Sequence, residues 1–176
     1  SKKSLNFRNN VLDSIKDYKM IIEDDENMKK MPQSSLELFS QKAKDNGILN
    51  STPENGPWLV TLDGPSIIPF MTYYPKSEKR KELYKASITK ASIGKLNNQK
   101  LILEILKLHQ ELSELLGYKN YVEISLSQKM ASEEKIYQFL NDISKKSIKK
   151  NKEDIEEVKK HFNLQTLELW DAAYYS

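Results

Sequence analysis

Leu101, Ile105, Leu108, Leu112 and Leu115 follow one another at intervals of four, three, four and three residues. That spacing puts all five on one stripe of an α-helix and scatters them over both faces of a strand. The stripe predicts a helix over 98–116, with Asn98 as its N-cap and Gly117 just past its end. It lasts less than three heptads, so it reads as a core-facing stripe and not as a dimer seam.

The same period recurs along the chain. Phe7, Val11, Leu12, Ile15, Tyr18 and Ile22 predict a helix over 6–23, closed by the acidic cluster Glu23–Glu26. Pro32 opens a second helix, Ser34 and Glu37 have capping-box spacing, and Gly47 is a stop. Residues 50–57 combine Asn, Ser, Thr, Gly and two prolines and form the strongest loop signal. Trp58–Leu62 is short, aromatic and β-branched, and reads as the one strand. Pro69 and Pro75 bracket a short segment from Phe70 to Tyr74. Leu83, Tyr84, Ile88 and Ala91 mark a helix over 77–92. A last helical stretch starts at Ser132, with Ile136, Phe139, Leu140 and Ile143 on its face. Its middle, Lys145–Lys152, is almost wholly polar, and the face resumes at Ile155, Val158 and Phe162. Either two helices or one long helix with a bare, bent middle fits. The fold class expected is all-α, with at most one or two short strands near 58–62. The chain reads as a single helical segment over 1–176, in which the 50–57 loop separates an N-terminal helical pair from the main helical part. With 5 glycines and 6 prolines, a turn-rich β sandwich is excluded.

Charge narrows the function classes. Twenty-eight basic and 25 acidic residues leave a net charge of +3, and lysines alternate with acids, so a nucleic-acid partner is not expected. No run of about 18 apolar residues exists, so no membrane partner is expected either. The start, Ser1–Ser4, is polar and shows no signal peptide. A soluble protein of the cytoplasm or an organelle fits. With no cysteine, thiolate metal sites, disulfides and a cysteine nucleophile are ruled out.

A self-contained catalytic site is not visible. The two histidines, His109 and His161, fall on different predicted helices, and neither stands in an HExxH pattern. Glu157 and His161 share a helical face but read as a solvated i,i+4 pair. The glycines are isolated, no GxSxG elbow is present, and Asp24–Asp25 lies in a charged run. No catalytic, metal-binding or cofactor-binding residue is assigned. Trp170 and Tyr174 are four apart on one face; they read as packing or, if exposed, as a peptide-contacting patch.

Three stretches carry a resemblance. The first is FRNNVLD at 7–13, with Met31–Pro32 after it. The second is WLVTLDGPSIIPFMTY at 58–73, continuing through KRKELYKASITKAS to Ser92. The third is LHQELSELLGYKNYVEISLSQKMA at 108–131, followed by Phe139–Leu140 and closed by LWDAAYYS at 169–176. LLGYKNY and WDAAYYS are the most specific phrases. In order and spacing, the chain from about Asn6 to Ser176 resembles the region upstream of the catalytic core in the oligopeptidase A / thimet oligopeptidase family. Lys90 stands where that family usually has arginine, Gly64 replaces a larger residue, and 147–163 is shorter and richer in lysine.

The resemblance implies a zinc endopeptidase parent that cleaves short peptides and excludes folded proteins. It implies a largely helical fold with a long channel between two halves. It also implies zinc on an HExxH helix with a further glutamate ligand, where the metal lowers the pKa of its water to about 7. All those residues are expected beyond Ser176. The chain itself is then a non-catalytic scaffold that holds no zinc, is inactive alone and self-associates through apolar groups at Phe7, Val11, Trp170 and Tyr174. The alternative is a stand-alone helical protein- or peptide-binding module without enzymatic activity.

Overall fold

A computed structural model describes residues 2–23 and 25–176. Ser1, and Asp24 of the acidic cluster, lie outside the described residues. The chain divides into two compact units. The larger joins Arg8–Asn97 to Thr166–Ser176, and the smaller joins the residues before Arg8 to Asn98–Gln165. The 50–57 loop lies inside the larger unit. Helix α1 (Lys2–Asp17) contributes residues to both.

The larger unit is built on a two-stranded antiparallel sheet. Strand β1 (Met20–Ile22) pairs with β2 (Trp58–Val60), Met20 opposite Val60 and Ile22 opposite Trp58. Helices α2 (Gln33–Asp45), α3 (Gly64–Tyr73), α4 (Ser77–Ile88) and the short α8 (Ala172–Tyr175) complete it. Met20, Ile22, Met28, Leu36, Phe39, Trp58, Val60, Phe70, Tyr74 and Leu83 form one buried cluster. Phe70 stacks on Tyr74 at 4.3 Å between ring centres and meets Phe39 edge-on at 6.5 Å.

The sequence reading departs from this structure at identifiable places. The first helix ends at Asp17, not at Glu23, and Met20–Ile22 turns to strand. There Met20 and Ile22 point inward while Ile21 is exposed, the period of two that a sheet imposes. The partner lies 38 residues on, which a local window does not see. Pro69 does not interrupt structure either; it lies inside α3. That helix starts well, because Asp63 accepts a hydrogen bond from the Ser66 amide at 3.3 Å. In α2, Pro32 takes the N-cap position and the Ser34–Glu37 capping box does not form. Gly47 stops α2 as expected, at φ +92°.

In the smaller unit, α5 (Gln99–Leu115), α6 (Tyr121–Ser127) and α7 (Glu133–His161) follow in order. Gly117 sits at φ +76°, and the Tyr118 amide reaches back to the Ser113 carbonyl at 2.8 Å, which closes α5. Asn98 precedes α5 but makes no side-chain cap; its Nδ2 donates to the Phe7 carbonyl at 3.0 Å. Asn120 caps α6 through the Glu123 amide at 3.0 Å. Ser132 caps α7 through the Lys135 amide at 3.3 Å. Helix α7 runs unbroken for 29 residues, so the one-helix reading of 132–162 holds.

The leucine stripe of α5 is not core. Leu101 and Ile105 are half-buried, whereas Leu108, Leu112 and Leu115 are exposed, Leu115 at 84 %. Much of the apolar face of α7 is exposed as well, including Phe139, Leu140 and Ile143, while Ile136 and Val158 are half-buried. With eight α-helices and one small sheet among the described residues, the fold is predominantly α. None of these helices is long and apolar enough to cross a membrane.

Candidate functional site

The strongest concentration of polar chemistry is a chain of hydrogen bonds through the larger unit, centred on Arg80. Leu83 points α4 into the core, and Arg80, three residues earlier on the same face, is carried in with it. Its side chain is 1 % exposed. A buried guanidinium needs a carboxylate and further acceptors. Asp171 Oδ1 accepts from Nη2 at 2.6 Å and from Nε at 3.1 Å, and the Tyr74 carbonyl accepts from Nη1 at 2.5 Å. The Tyr174 ring covers the guanidinium, with Cζ 4.1 Å from its centre.

Asp171 also accepts from the Ser77 hydroxyl, at 2.7 Å and 2.8 Å to its two oxygens. Ser77 in turn accepts from the Trp170 indole at 3.1 Å. Trp170 packs against Tyr84 at 6.2 Å and lies under the Lys81 ammonium at 4.8 Å. The aromatic pair Trp170 and Tyr174 is therefore half-buried against its own unit, the packing reading of the sequence, and is not a bare patch.

Tyr74 extends the network. Its hydroxyl donates to Asp25 Oδ2 at 2.5 Å, and Lys76 donates to the same oxygen at 2.8 Å. The Asn27 amide and side chain both donate to Asp25 Oδ1. Burial works to raise the Asp25 pKa, but the bonds from Lys76, Tyr74 and Asn27 outweigh it and hold the carboxyl well below the usual carboxylate range. Burial and the adjacent carboxylate push the Tyr74 phenol above its usual value. A second lowered carboxylate is Asp63: burial opposes, and Lys42 at 2.7 Å and Thr61 prevail.

These groups hold chain segments together. Ser77 donates to a carboxylate already engaged by Arg80, and among the described residues no imidazole belongs to the network. His109 stacks on Tyr121 at 3.9 Å, with the rings 6° from parallel. His161 ends α7 and meets Phe162 edge-on. Among the described residues no three His, Asp or Glu side chains converge as metal ligands, so the donors present do not fit a zinc ion.

In the smaller unit, α6 and α7 border a groove of about 330 Å³ walled by Val122, Leu126, Ile136, Tyr137 and Leu140, with Asn120 and Glu133 on its rim. It suits an apolar side chain and offers no acid–base pair. The sequence reading missed both the network and the groove. The one available signal was Arg80 itself, one of two arginines in a lysine-rich chain, since arginine is the cation suited to a buried, forked ion pair.

Comparison with known proteins bears on the whole length. The profile of Peptidase family M3 matches residues 70–176. The organellar oligopeptidase A (chloroplastic/mitochondrial) of Arabidopsis thaliana is 38 % identical over 99 % of this chain and 23 % of its own length. Oligopeptidase A of Escherichia coli is 34 % identical over 97 % of this chain and 25 % of its own. Saccharolysin of Saccharomyces cerevisiae is 31 % identical over 87 % and 20 %. The chain thus spans about a quarter of the length of the curated relatives it matches. The matched region runs from the end of α3 through α8, including the Arg80–Asp171 pair and the WDAAYYS phrase, and on that ground the chain belongs to peptidase family M3.

Proposed function

We propose that this chain is a scaffold segment of a zinc-dependent endopeptidase that hydrolyses short peptides, and that it supplies no catalytic group. Family membership supports the peptidase part. The absence of a catalytic group is supported by the sequence, which has two histidines, neither in HExxH, and by the lack of any gathering of three His, Asp or Glu side chains as metal ligands among the described residues. A zinc ion would supply an activated water as nucleophile in the parent enzyme. No step of that chemistry runs through residues present here. The role of the segment includes holding the helices of the larger unit together, with Arg80 and Asp171 tying residues 170–175 to α4.

A quenched fluorescent peptide tests the reading. The 176-residue chain, purified and supplied with zinc, should show no turnover above buffer. A longer product of the same gene that carries an HExxH helix should cleave the peptide and lose activity to a chelator. Turnover by the 176-residue chain alone would overturn the proposal. The groove between α6 and α7 favours one other reading, a binding module without activity. Saturable binding of short apolar peptides, abolished by Ile136→Asp and unaccompanied by cleavage in any longer product, would support that reading instead.

A further inference from the structure

The chain contains two Asn–Gly pairs, Asn46–Gly47 and Asn55–Gly56, each preceded by an acid. Asparagine before glycine is chemically labile, because no side chain on the glycine hinders attack of its nitrogen on the carboxamide carbon. The two sites differ in how the fold holds the reacting groups. Asn46 closes α2: its Nδ2 donates to the Lys42 carbonyl at 2.9 Å, and the Gly47 amide donates to the Lys44 carbonyl at 3.0 Å. Both groups are tied down there, and the space around Gly47 is open. Asn55 lies in the turn that leads to β2. Its side chain is exposed and has no hydrogen-bond partner among the described residues, so only the Gly56 amide is held, by the Thr52 carbonyl at 2.9 Å. That turn is wrapped on the core. Thr52 and Gly56 exchange both backbone bonds, and the Trp58 indole donates to the Pro53 carbonyl at 3.0 Å. A Cβ on Gly56 would come within 2.7 Å of the fully buried Trp58 ring.

We infer that Asn55 is a site of spontaneous deamidation in the folded chain, ahead of Asn46, and that its isoaspartyl product loosens the turn around Trp58. The Gly56 nitrogen forms a bond to the side-chain carbonyl carbon of Asn55, the bond from that carbon to Nδ2 breaks, and ammonia leaves with the Gly56 amide proton. Water then opens the cyclic imide at one carbonyl or the other and yields aspartate or isoaspartate. At Asn55 one hydrogen bond must open first, and at Asn46 two must. The additional bond corresponds to a rate difference of about threefold to tenfold. The isoaspartyl form routes the backbone through the side-chain carbon and adds a methylene between residue 55 and Gly56. A turn longer by that atom does not hold both Thr52–Gly56 bonds in place, and Gly56 has no room to move toward Trp58. At Gly47 the same insertion meets open space.

Ageing the full 176-residue chain at mildly alkaline pH, in buffer and in urea, with peptide mass spectrometry at intervals, tests the inference. In buffer Asn55 should gain the about 1 Da of amide-to-acid exchange at least about threefold faster than Asn46. In urea, where neither site is held, the two rates should converge. The aged chain should develop a second, less stable population in urea unfolding read by tryptophan fluorescence. Asn55→Gln, whose longer side chain closes the ring slowly, should abolish that population, and Asn46→Gln should leave it. Equal or faster conversion of Asn46 in buffer would overturn the inference. So would unchanged stability once Asn55 has been converted to isoaspartate, or a less stable population that persists in Asn55→Gln.

Discussion

Replacing Asp171 by alanine removes the carboxylate bonded to a guanidinium that is 1 % exposed. The Arg80 charge cannot leave by losing its proton, so it must be desolvated unpaired, or the 166–176 segment must swing away and admit water. Breaking a buried pair from one side costs about 3–5 kcal/mol. Two contacts survive the substitution: Nη1 still donates to the Tyr74 carbonyl, and the Tyr174 ring still covers Cζ. They place the loss near the lower end, about 3 kcal/mol. For a cooperative unit of roughly 100 residues, that is a fall of at least about 12 °C in Tm. Urea unfolding followed by far-ultraviolet circular dichroism and by the fluorescence of Trp58 and Trp170 measures it. Arg80→Met combined with Asp171→Leu removes the charge along with its partner and should recover the stability to within about 1.5 kcal/mol of the parent. A loss under about 1 kcal/mol for Asp171→Ala, the range of an exposed pair, would refute the reasoning.

Other perturbations follow from single positions. Gly56→Ala should destabilise by about 2–4 kcal/mol in urea titration, because Gly56 sits at φ +67° and a Cβ there would come within 2.7 Å of the fully buried Trp58 ring. Tyr18→Phe should be neutral or slightly stabilising at pH 7, since the buried Tyr18 hydroxyl has no hydrogen-bond partner. Burial, with Glu82 adding, pushes that phenol up to about 12, so its neutral form contributes stability that is complete below about pH 10 and is lost as pH rises through 12. The Phe variant should therefore show a shallower alkaline decline. Asp25 behaves oppositely: its lowered pKa contributes stability present above the unfolded value near 4 and lost as pH falls, so Asp25→Asn should flatten the acid limb of a stability–pH curve. Sedimentation over a concentration series should show self-association driven by the exposed α5 stripe. Leu115→Glu should suppress it, and Trp170→Ser should instead lower stability, because Trp170 packs on Tyr84 and Ser77.

Helix identity was legible wherever the signal was local. The period of the α5 stripe, the stop at Gly117 and the cap at Ser132 act within a few residues of themselves, so α5 and the start of α7 emerge from the chain order alone. The family phrases were legible too, because they are strings of residues. What a helix faces was not. A helical apolar pattern marks both Leu83 of α4, which is fully buried, and Leu115 of α5, which is exposed. Periodicity gives the direction of an apolar face but does not say whether anything lies against it. Strand β1 and the Arg80–Asp171 pair belong to the same class of fact. Met20–Ile22 is extended because β2 lies beside it, and Arg80 is buried because residues 91 positions later fold over it. Those outcomes depend on contacts between segments far apart in the chain, whose free energy exists only once the tertiary structure has brought them together.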